Sequence, residues 1–163
     1  MNKLNNSKSK WEVSLEDYIN FKIYKINYNE INEKNNIIKS ESNSYTVSLN
    51  VCTNNLSNNY VIDFDILKNV LSSVCNKIDN KYVLSNSLSN DIKNKLESKN
   101  IFLLNIDNNT INDINIAEYL LEKVIEELQI CYIDTINKLD NLVFKLSLKN
   151  ILNKKNYSIK RGI

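Results

Sequence analysis

Between Ser44 and Lys68 the chain changes its hydrophobic period once, and that change limits what can be built around it. Tyr45, Val47, Leu49 and Val51 alternate with Thr46, Ser48, Asn50 and Cys52. A period of two with one apolar face predicts a half-buried strand. The polar run Asn54 to Asn59 then breaks the pattern, and asparagine tolerates the left-handed backbone that a turn needs. A short extended step from Tyr60 to Ile62 leads to Asp63, after which Phe64, Leu67, Leu71, Val74 and Ile78 recur at helical spacing. The unit reads as strand, turn, short strand and helix, so the helix has to cover the apolar face of the strand.

The same two periods assign the rest. Ile19, Phe21 and Ile23 share one face of a first strand within Trp11 to Ile26, and the polar stretch Asn27 to Asn36 follows as a loop. After the helix at about 63–79, Tyr82, Val83 and Leu84 stand in a polar segment. Asp91 to Lys99 suggests a short helix, and Ile101 to Ile106 is an apolar, strand-like run. From Asn112 to Ile130 the stripe Ile116, Leu120, Val124 and Leu128, widened by Ala117, Leu121 and Ile125, gives the strongest helix signal. Asn112 or Asp113 can cap that helix, and Glu118, Glu122, Glu126 and Glu127 form its solvated face. Leu142, Phe144, Leu146 and Leu148 alternate in a last long strand, and one more short strand is expected near Tyr157. The expected fold class is α+β, an antiparallel sheet of about four strands with two main helices packed on one face. Residues 1–14 form a polar, disordered lead-in, 15–158 one domain and 159–163 a basic tail.

Composition narrows the chemistry. The chain has 32 Asn, one Gly, no Pro and no His among 163 residues, a bias expected of an AT-rich genome. Turns must therefore use Asn and Ser, and every imidazole mechanism is excluded, whether a Ser-His or Cys-His pair or a His-ligated metal. Cys52, Cys75 and Cys131 are far apart and odd in number, which argues against a disulfide framework and for small buried side chains in a reducing, cytoplasmic setting. A net charge of +2 without a basic stripe interleaved with aromatics gives no reason to expect nucleic acid. No apolar run reaches the roughly 18 residues that suggest a membrane span, and the first ten residues lack the apolar core of a secretory signal.

Four blocks carry a resemblance. They are Tyr45-Thr46-Val47-Ser48-Leu49, then Val61-Ile62-Asp63-Phe64 with Leu67-Lys68, then Ile78-Asp79-Asn80-Lys81, and last Asn115-Ile116-Ala117. In this order and spacing the chain resembles the 6-pyruvoyl-tetrahydropterin synthase and 6-carboxytetrahydropterin synthase family, with the tunnelling fold, over roughly residues 18–158. The family holds a catalytic zinc on three histidines. The resemblance places these on Lys25, Glu41 and Asn43, a cation, a carboxylate and an amide that do not make a zinc cage. Ile37 stands where the family has its catalytic cysteine. Asp79 and Asn80 replace the Asp-His couple that polarises it, and an amide does not titrate.

On the pterin side the motif falls on Asn112 and Ile114. The ring-anchoring carboxylate belongs near Leu148, Lys149 and Asn150, none of which is acidic. The resemblance therefore implies a catalytically inactive relative with no cofactor, serving as a structural or regulatory subunit. Its partners would be further copies of itself, as a trimer or hexamer, or an active paralogue in a mixed oligomer. Two alternatives stand beside it. One is a pterin or purine-related synthase acting on dihydroneopterin triphosphate through a rebuilt, zinc-free site that includes Glu41, Asp79, Lys25 and Tyr82. The other is a pterin-binding module without turnover.

Overall fold

The computed structural model describes residues 11–26, 38–56, 61–87, 94, 100–106 and 111–163; the side chains of 23–26 and 38–41 fall outside it. The loop read over Asn27 to Asn36 and nearly all of the short helix read over Asp91 to Lys99 lie outside the described residues. Among the described residues nine elements follow in order: β1 (Trp11–Ile26), β2 (Ile38–Thr53), α1 (Phe64–Asn76), β3 (Lys81–Ser85), β4 (Ile101–Leu104), α2 (Asp113–Cys131), α3 (Ile133–Ile136), β5 (Val143–Asn150) and β6 (Asn156–Gly162).

The strands form one sheet in the order β4-β3-β1-β2-β5-β6. The α+β class is as expected, but among the described residues the sheet has six strands rather than about four, and it is mixed. β1–β2, β2–β5 and β5–β6 pair antiparallel, whereas β1–β3 and β3–β4 pair parallel. The cause is the crossover: α1 carries the chain from β2 back over the sheet, so β3 enters beside β1 in the same direction. Residues 159–162, read as tail, extend β6, and Trp11 to Ser14, read as lead-in, pair with β2 from Thr53 to Asn50.

Both main helices lie on one face, as their stripes require. Leu67, Leu71 and Val74 of α1 and Ile116, Leu120, Val124 and Leu128 of α2 are fully buried against Ile19, Tyr45, Val47 and Leu49. Phe64 departs from this pattern and stays 49% exposed. It opens α1 beside Trp11 at the start of β1, where the sheet ends. No strand forms at Val61 and Ile62, which instead bend into the core. Asp63 caps α1 by accepting from the N–H groups of Asp65 and Ile66. Asn112 caps α2 in a reciprocal box with Asn115, which leaves the Asp113 side chain available elsewhere. Asn80 and Asn141 take left-handed backbone, at φ 56° and 51°, where a less biased chain uses glycine. Cys52 and Cys75 are buried, whereas Cys131 is exposed at the end of α2.

Candidate functional site

The long β1–β2 hairpin decides which of the expected site positions can meet. Its register sets Lys25 opposite Lys39, Ile23 opposite Glu41 and Phe21 opposite Asn43. The backbone therefore brings the three family ligand positions to one end of the hairpin on successive alternate rungs. The side chains of Lys25 and Glu41 lie outside the described residues, as does Ile37 altogether. Asn43 is described. Its amide oxygen accepts from Asn150 Nδ2 at 3.4 Å. An amide already engaged in this way, in line with a carboxylate position and a lysine position, does not suit zinc, which favours imidazole and thiolate. Among the described residues no three His, Cys, Asp or Glu side chains converge.

Asp79 and Asn80 form the corner between α1 and β3. One Asp79 carboxylate oxygen accepts from the Asn20 N–H at 2.8 Å, and the other from Asn80 Nδ2 at 2.7 Å. The Asn80 N–H in turn donates to the Asn20 carbonyl at 2.6 Å. The carboxylate that the resemblance assigns to catalysis thus ties the corner to β1. Nearby, burial pushes the Cys75 thiol up to about 12, helped by the Asp17 and Asp79 carboxylates. It stays protonated and is unsuited to attack.

The pterin-side positions lie at the start of α2 and the end of β5. Asn112 is spent on its cap, Ile114 is 47% exposed, and Lys149 points to the sheet face away from the helices. Asn150 is buried, and its amide oxygen receives the N–H groups of Leu152 and Asn153 while its Nδ2 reaches Asn43. Sequence reasoning missed Tyr45, which it read only as part of the apolar face. The Tyr45 hydroxyl donates to Asp113, and its ring stacks on Phe21 with centroids 5.1 Å apart. Burial first, and then this hydrogen bond, push its pKa up. A buried tyrosine needs a partner for its hydroxyl, and that requirement was the signal available in the sequence.

A concavity of about 210 Å³ opens beside these groups at the β1–β2–β3 end of the sheet. Asn43 and Asn80 border it, with Lys22, Lys81, Ser42 and Tyr82, and no carboxylate lines it among the described residues. Lys22 Nζ lies 5.2 Å from the centre of the Tyr82 ring and 3.5 Å from its hydroxyl. Such a lining can bind a neutral or anionic group through amides, hydroxyls and a cation.

No protein-family profile matches the chain, and no curated protein matches it. Solved structures do. The 6-pyruvoyl tetrahydropterin synthase of Plasmodium falciparum is similar at 24% identity and a TM-score of 0.70, over 95% of this chain and 99% of that one. The Plasmodium vivax enzyme is similar at 20% identity and 0.69, with the same coverage. The Caenorhabditis elegans enzyme is similar at 14% and 0.54, over 92% of this chain and 96% of its own. The chain therefore has the fold of the 6-pyruvoyl tetrahydropterin synthases.

Proposed function

We propose that this chain is a catalytically inactive 6-pyruvoyl-tetrahydropterin synthase-like protein that serves as a structural or regulatory subunit. One observation carries the reading: polar groups at reactive family positions are engaged in holding the fold. Asn43 bonds Asn150, and Asp79 bonds the Asn20 N–H and the Asn80 amide. No histidine exists anywhere in the chain to hold a catalytic zinc or relay a proton. Family chemistry needs a metal to acidify the substrate side chain and a base to move the proton. The partners on this reading are further copies, joined through their sheet edges as a trimer or hexamer, or an active paralogue.

A zinc determination on purified protein, paired with an absorbance assay on dihydroneopterin triphosphate, tests it. Zinc well below one per chain and a flat trace are expected. Stoichiometric, tightly held zinc or any pterin product overturns the proposal. One finding favours a second reading with a rebuilt site: a glutamate is a catalytic residue in the Plasmodium vivax enzyme. Under that reading Glu41 is the group to test, and turnover lost on Glu41→Gln would establish it.

A further inference from the structure

An apolar groove of about 420 Å³ opens where β1 begins beside the start of α1. Trp11, Leu56, Val61 and Phe64 line it, and Trp11 remains 46% exposed. Its rim is acidic, with Glu12, Asp63 and Asp65. Asp63 is occupied in capping α1, while no ion pair engages Glu12 or Asp65 among the described residues.

The other end of the sheet carries the complement. In the β5–β6 hairpin, Ile151 and Leu152 are 51% and 76% exposed, and Lys154 and Lys155 follow them. The turn is held firmly by its hydrogen bonds. Asn150 Oδ1 accepts from the Leu152 and Asn153 N–H groups at 2.9 and 3.1 Å. The Lys154 N–H donates to the Asn150 carbonyl at 3.0 Å, and the Lys155 N–H to Asn153 Oδ1 at 2.9 Å. Two aliphatic side chains this exposed, on a backbone fixed by those bonds, contribute little to the isolated fold. Presented in this way, they lose little freedom on binding.

We propose that this hairpin docks into the groove of a second copy of the chain. Ile151 and Leu152 enter between Trp11, Val61 and Phe64, and Lys154 and Lys155 lie over Glu12 and Asp65. The two features do not meet within one copy. Asn150 pairs with Tyr45 and Trp11 with Thr53, eight residues further along β2, a separation of about 27 Å at roughly 3.4 Å per residue. The contact joins different surfaces of the two copies, so it propagates head to tail and closes a ring or extends a chain according to its rotation. It forms no new strand pairing, is therefore distinct from edge-to-edge joining of sheets, and does not depend on whether the chain is catalytically silent.

The test places a photo-reactive benzoylphenylalanine at Leu152 in the full chain, mixes isotope-labelled and unlabelled protein, irradiates, and maps the link by mass spectrometry. A link between copies, from position 152 to residues 11–13 or 61–65, is expected. Phe64→Asp and Asp65→Lys should each reduce its yield about tenfold, and Lys155→Glu should restore it in the Asp65→Lys background. Circular dichroism confirms that these exposed-site variants remain folded. Absence of a link between copies, a link confined to one copy, or a link to the β4 or β6 edge overturns the proposal. So does a yield that ignores the charge swap.

Discussion

Tyr45 shows how one residue serves packing and polarity together. Its ring extends the core beside Phe21, and its hydroxyl reaches out of that core to Asp113 at the start of α2. The folded protein holds the hydroxyl proton more tightly than the unfolded chain does, because burial and the bond to Asp113 raise its pKa. Its contribution to stability is therefore whole below about pH 10, the ordinary tyrosine value, and declines as pH rises past it. Tyr45→Phe should flatten this alkaline decline in urea titrations. At neutral pH the same variant should cost about 1–3 kcal/mol, since Asp113 loses its donor. Other site residues were legible only as positions. Spacing locates Asn43 and Asp79, but not the engagement of Asn43 with Asn150 or of Asp79 with the Asn20 N–H. Those partners lie 107 and 59 residues away in sequence, and no local pattern encodes them.

At the scale of elements, long periodic segments declared themselves and short ones did not. β1, β2, α1, α2 and β5 each repeat their period often enough to be read. β3 and β4 span five and four residues without clean alternation, and their parallel pairing depends on the crossover through α1. Beyond Tyr157 the last strand is not legible in the sequence, because Lys160 and Arg161 look like a solvated tail, although they are the exposed positions of an outermost strand. Phe64 teaches the complementary lesson: helical spacing gives the angle of a side chain, not whether sheet lies beneath it. The two cases separate in a stability measurement. Leu120→Ala, at a fully buried position, should cost about 2–5 kcal/mol. Phe64→Ala, half exposed, should cost about 1 kcal/mol or less in the monomer.

For the whole molecule, the sheet face turned away from the helices is polar and knitted across its strands. Ser14 Oγ donates to Asn50 Oδ1 at 2.8 Å, and Ser48 Oγ to Glu16 at 2.9 Å. Glu12 and Glu16 lie on β1 of that face, and Lys145, Lys149 and Lys160 on β5 and β6. A surface of this kind suits a wet cavity enclosed by several copies, and the strands at the sheet edges contain no proline to prevent joining. Light scattering behind a sizing column should return a multiple of the 19.0 kDa chain mass. A single 19 kDa species at micromolar concentration would defeat self-association. No helix among the described residues is long and apolar enough to cross a membrane.

The parallel seam between β1 and β3 also orders events in time. Lys22 and Tyr82 meet across it from 60 residues apart. Closing such a distance costs chain entropy before any contact repays it. The helices form on local contacts, so the seam is expected to close after them. With no proline in the chain, the slow isomerisation that so often delays refolding is absent. Any sluggish phase in the renaturation of this protein therefore belongs to the closing of that seam or to the meeting of copies, and dilution tells the two apart, because only the second slows with it.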